Sequence, residues 1–248
     1  MKKIGIVGGV GWASTVDYYR AICEGAGRFF AARGATSPLP VPQITIESVT
    51  QAKTRALRGS PGDEASWSRF DAVFREALLT LEMAGCDFGI IASNTPHARL
   101  PAIRQGVTMP ILSIFDAAAQ ATAATGAKQA LVLGTTVTMQ ARDYADTLSL
   151  SDIPANPRLP DDQIAEMQAM IDTDFYGGAS ESARARLLAF CNRHAEPGTA
   201  ILLACTELPL AFPDHIDDIQ FESDGHRFVN PSAAHVSAAL DRALADEI

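Results

Sequence analysis

Short apolar runs alternate along this chain with longer segments of helical period. Residues 4–7, 43–47, 88–92, 111–112, 130–133 and 200–204 form short runs, most of them rich in Ile, Val and Leu without polar alternation. Runs of this kind read as strands covered on both faces, as in a parallel sheet. Residues 15–32, 66–84, 116–125, 161–173, 181–194 and 232 to about 245 read as helices between and after them. Alternation of β and α elements predicts an α/β fold with right-handed crossovers.

The pattern also repeats. Ile6-Val7-Gly8-Gly9 is a strand entering a glycine turn, and Leu131-Val132-Leu133-Gly134-Thr135-Thr136 does the same later. Ile90-Ile91-Ala92-Ser93-Asn94-Thr95 has its echo in Leu202-Leu203-Ala204-Cys205-Thr206-Glu207. Two echoes in one order predict two similar α/β halves, 1–113 and 114–225, with the C-terminal helix (about 226–248) joining the first. Segments 35–42 and 151–160 are proline-punctuated connections. The glycine-rich polar loop 58–63 suits a mobile lid.

Composition removes several function classes. The 248 residues carry 20 Lys and Arg against 29 Asp and Glu, a formal net charge of −9. That balance speaks against a nucleic-acid footprint, which needs a clustered basic face. No stretch approaches the ~18 apolar residues of a membrane span, and the start lacks a signal-peptide pattern. A cytoplasmic protein is expected. Cys23, Cys86, Cys191 and Cys205 form no C-x-x-C pair, so they read as reduced thiols and no metal site is expected.

Chemistry concentrates at strand ends. Gly8-Gly9-Val10-Gly11-Trp12-Ala13-Ser14 fails the dinucleotide spacing, and no acidic residue follows about 20 positions after it. The turn either holds an anion on its backbone amides or only needs permissive backbone angles. Ser93-Asn94-Thr95-Pro96-His97 and Cys205-Thr206-Glu207-Leu208-Pro209 each close a buried strand, where ligands of open parallel sheets bind. Cys205 there is either a thiolate favoured by a helix dipole or a small buried hydrophobe.

Taken together, Gly8-Gly9-Val10-Gly11 with Thr15-Val16-Asp17-Tyr18-Tyr19, Ser93-Asn94-Thr95-Pro96-His97, Gly134-Thr135-Thr136-Val137-Thr138-Met139 and Cys205-Thr206-Glu207 resemble the aspartate/glutamate racemase family, over nearly the whole chain and in order. The resemblance implies two flavodoxin-like parallel-sheet domains with the active site in the cleft between them, usually in a homodimer. It implies a small amino- or carboxylic-acid substrate and no cofactor, neither pyridoxal phosphate nor metal. Carried over by motif, Cys205 is one acid/base. Asn94, Thr95 and Thr206 hold the α-carboxylate, with the Gly9, Val10 and Gly11 turn and Thr135 nearby. Glu207 and His97 either support these groups or meet the ammonium.

This sequence departs from the family at Ser93, which stands where the first catalytic cysteine belongs. A serine hydroxyl is a poor base without an activating neighbour, so Ser93 is expected to be the weaker partner, mainly a proton donor. His97 is read as a solvent-facing turn histidine, with activation of Ser93 as the alternative. Segment 171–180 lacks the lysine that acidic-substrate racemases place near it. Lys53 and Arg55 could meet a side-chain carboxylate or simply be solvated. Trp12 would narrow the pocket mouth. The expected function is a cofactor-independent racemase for an acidic amino acid. The alternatives are a one-cysteine lyase or isomerase resembling arylmalonate decarboxylase, and a catalytically silent binding protein.

Overall fold

The computed structural model describes residues 1–60, 62–155, 159–175 and 179–247. Pro61 in the lid-like loop, Pro157 in the 151–160 connection and residues 176–178 of the lysine-free segment lie outside the described residues. The chain forms two compact units: Met1–Ser113 with Val236–Ile248, and Ile114–His235.

The first unit contains β1 (Ile4–Gly8), α1 (Trp12–Ala31), β2 (Ile44–Ser48), α2 (Gln51–Ala56), α3 (Ser68–Met83), β3 (Phe88–Ile91) and α4 (Leu100–Ile103). Its sheet runs β2-β1-β3, all parallel, with Ile4 beside Ile44 and Phe88. Alternation along β1 sorts the layers. Ile4 and Ile6 point into a core with Tyr18 and Ile22 of α1. Gly5 turns the other way, where an added Cβ would stand 3.1 Å from Leu81 of α3.

The second unit contains α5 (Ile114–Ala124), β4 (Gln129–Gly134), α6 (Thr136–Met139), α7 (Arg142–Ser149), α8 (Asp161–Met170), α9 (Glu181–His194), β5 (Thr199–Ala204), β6 (Gln220–Ser223) and β7 (His226–Val229). The last helix, α10 (Pro231–Leu244), begins here and continues into the first unit. There its Val236, Ala239 and Ala243 join the Ile4–Tyr18 core. The second sheet runs β4-β5-β7-β6, parallel except for the antiparallel β6–β7 pair. Leu131, Leu133, Ile201 and Leu203 share a core with α8 and α9 through Met167, Met170, Leu187 and Phe190.

Both sheets agree with an α/β class dominated by parallel strands. Four details differ from the sequence reading. Residues 111–112 do not form a strand; Ile111 makes one isolated parallel bridge to Gly89. The β6–β7 hairpin adds two strands where none was expected. The helix expected over 161–173 ends at Met170 and passes into a π-helical turn, Ile171–Phe175. Helices α2 and α7 stand where the sequence pattern predicts no element. No helix among the described residues is long and apolar enough to cross a membrane.

Candidate functional site

In the first unit, the carboxyl end of β1 turns through Gly9, whose φ of +78° is a left-handed conformation suited to glycine. A Cβ on Gly9 would stand 1.9 Å from the Val49 carbonyl oxygen, so close approach to the β2 end also excludes a side chain. The Gly9 N–H donates to Thr15 Oγ1 at 2.8 Å. Thr15 therefore builds the turn from within α1 and takes one of the amides that an anion could have used. Among the described residues the amides of Val10 and Gly11 have no such partner. Trp12 projects into solvent at 73% exposure.

At the end of β3 the chain closes tightly, the Ser93 N–H donating to the Ile91 carbonyl at 2.8 Å. Ser93, Asn94 and Thr95 are all buried. Both carboxamide atoms of Asn94 are buried and have no hydrogen-bond partner among the described residues, a costly state for a polar group unless a ligand completes it.

His97 is not the solvent-facing residue expected from the sequence. It is 2% exposed, with Nδ1 2.8 Å from the Ser93 carbonyl oxygen. That oxygen only accepts, so Nδ1 carries the hydrogen. Burial drives the ring's pKa down to about 4, against backbone hydrogen bonds to Ser93 and Leu112 that favour the charged form. His97 is thus a neutral staple under the Ser93 backbone. Among the described residues no base is hydrogen-bonded to the Ser93 hydroxyl.

Two ion pairs fix the next turn. Arg99 grips buried Asp71 of α3 with two bonds, Nε to Oδ1 at 3.2 Å and Nη2 to Oδ2 at 2.8 Å, and reaches Glu64 Oε2 at 2.7 Å. Its guanidinium charge is correspondingly stabilised, by the Asp71 hydrogen bonds most. The described part of the lid-like loop is tied down as well. Ser60 accepts from Trp67 Nε1 at 3.1 Å, and its N–H donates to Ser66 Oγ at 2.8 Å. Lys53 and Arg55 are exposed on α2.

In the second unit, Cys205 follows β5, whose six residues are all buried, and is itself 6% exposed. The turn is fixed by the Leu208 N–H donating to the Cys205 carbonyl at 3.0 Å. Cys205 Sγ lies 2.9 Å from Glu207 Oε2, and Thr206 Oγ1 lies 2.9 Å from the same oxygen. With its hydrogen directed at Glu207, Thr206 has only lone pairs left to offer a ligand. Thr135 caps α6, its Oγ1 3.4 Å from the Thr138 N–H and 3.1 Å from Thr138 Oγ1.

Gln168, absent from the sequence reading, accepts from the Thr136 N–H at 2.9 Å and donates to Asp172 Oδ2 at 3.0 Å. It links the β4 turn to the π-helical turn across a sequence separation that leaves no local signal. Cys191 is buried and its thiol is pushed up to about 12 by burial, a packing residue rather than a nucleophile.

Residues 7–239 match the model of the Asp/Glu/Hydantoin racemase family. A Yersinia pestis protein, named provisionally as an Asp/Glu racemase, shares 25% identity over 98% of this chain and 100% of its own, with a TM-score of 0.78. An aspartate racemase homologue from Pyrococcus horikoshii shares 24% over 98% and 99%, with a TM-score of 0.70. The Picrophilus torridus aspartate racemase shares 21% over 98% and 94%, with a TM-score of 0.71.

Proposed function

The chain belongs to the Asp/Glu/hydantoin racemase family, and from that premise we propose that it is an amino-acid racemase acting at the α-carbon of an acidic amino acid, without pyridoxal phosphate. The observation that carries the proposal is the Cys205 thiol, buried at the carboxyl end of β5 and hydrogen-bonded to a carboxylate. Removing a weakly acidic Cα–H needs a base, and the other candidates are poorly suited. Among the described residues no base is hydrogen-bonded to the Ser93 hydroxyl, and the His97 ring is committed to backbone. Cys205 remains.

In this reading Cys205 removes or returns the α-proton on one face, and Ser93 is the weaker donor for the other. Asn94 and Thr95, with the Val10 and Gly11 amides, stabilise the carboxylate as negative charge builds on it. The unpartnered Asn94 carboxamide supports that role. Thr206 and Glu207 then face the ammonium side, and Thr135 and His97 hold the backbone that frames the site. The reading includes a homodimer, measurable by sedimentation equilibrium, and a reducing compartment that keeps the thiol free.

The test is proton NMR in D₂O of D- and L-aspartate and glutamate and a mixed amino-acid pool. Loss of a Cα–H signal with wild type, absent with Cys205→Ala, supports the racemase. No exchange in any amino acid overturns it. Ser93 in place of a second thiol favours one further reading, a one-cysteine lyase, which release of carbon dioxide from a disubstituted malonate would identify.

A further inference from the structure

We propose that Arg99 is a positioning residue for the Asn94 and Thr95 side chains: held by Asp71, it fixes the far end of the short helix whose near end presents them. Thr95–Arg99 is a single 3₁₀ helix that starts at Asn94. The His97 N–H donates to the Asn94 carbonyl at 2.9 Å, and the Leu100 N–H to the His97 carbonyl. A displacement at Arg99 is therefore carried back to Asn94.

Asp71 is the anchor on the other side. The other buried positions of α3 are apolar, Phe70, Phe74, Ala77, Leu78 and Leu81, and Asp71 stands among them at 3% exposure. Its two oxygens take Nε and Nη2 of Arg99, at 3.2 and 2.8 Å, and the guanidinium lies 5.4 Å from the centre of the Trp67 ring. Glu64, the other partner of Arg99, is 81% exposed, so that pair contributes little. One helical turn further along α3, Arg75 Nη2 donates to the Ala102 carbonyl at 2.7 Å. The same helix thus clamps the chain on both sides of Leu100. Stability alone does not account for the ion pair. Desolvating two charges costs about what their attraction returns, and an apolar pair of similar volume commonly does as well. Apolar packing lacks direction, whereas a forked guanidinium on a carboxylate fixes distance and angle together. Asn94 needs that direction, because its carboxamide has no partner among the described residues to aim it. The effect on substrate binding rests on the racemase reading; the fixing of the turn by Arg99 does not.

The experiment compares full-length wild type with Asp71→Leu/Arg99→Met, which exchanges the ion pair for apolar packing, and with Arg99→Lys, which keeps the charge and gives up the fork. Melting temperature, amide hydrogen exchange by mass spectrometry and Cα–H exchange kinetics in D₂O are read on each. The double variant melts within a few degrees of wild type. Its amides in residues 93–99 nevertheless exchange several-fold faster, while those of β1 and β3 are unchanged. KM for the amino acid rises about tenfold, the scale of one hydrogen bond to a charged group, and kcat changes less. A merely structural role lowers the amount of active protein, hence apparent kcat, and leaves KM alone. Arg99→Lys shows the same changes in smaller degree and decides the matter if the double variant does not fold. Wild-type amide protection of residues 93–99, or wild-type KM, in the folded variant overturns the proposal. Should wild type exchange no amino acid, the racemase reading fails alone, and the amide protection still decides whether Arg99 fixes the turn.

Discussion

Lowering the pH from 7 to 5 should weaken the first unit through a single residue, His97. The ring is 2% exposed and anchored to the Ser93 carbonyl at 2.8 Å. Burial holds its pKa at about 4 in the fold, against the backbone bonds to Ser93 and Leu112. In the unfolded chain it titrates at the ordinary value of about 6.5. Between those values the unfolded state binds the proton and the folded state refuses it, so stability falls as pH falls. The contribution is intact above the unfolded value, and nothing further is lost below about 4. Linkage over these two pKa values gives a loss of about 2 kcal/mol between pH 7 and pH 5. Urea unfolding followed by tryptophan fluorescence reads this unit, because both tryptophans, Trp12 and Trp67, lie in it with His97. His97→Gln removes the titration, so its stability should change less than wild type over the same range, before most carboxylates protonate. Parallel pH slopes in the two proteins would refute the argument.

Three other outcomes follow from the geometry. Cys205→Ala should abolish α-proton exchange, whereas Ser93→Ala should keep exchange by NMR and lose inversion by chiral chromatography; equal loss of exchange from both sinks the asymmetric assignment. Asn94→Ala removes a buried carboxamide with no partner, a liability of about 1–3 kcal/mol, so its melting temperature should hold or rise while KM increases at least about tenfold, roughly the contribution of one hydrogen bond to a charged group. A lower melting temperature with unchanged KM would contradict that role. Gly9→Ala places a methyl 1.9 Å from the Val49 oxygen at a φ of +78°, and should cost at least about 2 kcal/mol, visible as a lower melting temperature or lost soluble yield. Wild-type melting would refute the account of the turn.

What the sequence made legible was set by how locally each feature is determined. β1, β3 and β5 are buried at every position, so continuous Ile, Val and Leu announce them. β6 and β7 are half wet, as Gln220-Phe221-Glu222-Ser223 shows, and take their place only by pairing with β5 through β7. Their local sign was the Asp224-Gly225 turn, both residues at positive φ, an Asp-Gly signal of the kind that joins hairpin strands.

The candidate site divides in the same way. Residue types at strand ends could be read, since Ser93-Asn94-Thr95 and Cys205-Thr206-Glu207 are contiguous. Their states could not. His97 is neutral because the fold buries it beside backbone of Ser93 and Leu112, the latter remote in sequence. The Thr136 amide is taken by Gln168, a residue of α8. Even the contact from Cys205 to Glu207, two residues apart, depends on a turn that brings the carboxylate back to the sulfur. Sequence names the acids and bases; the turn decides which of them meet.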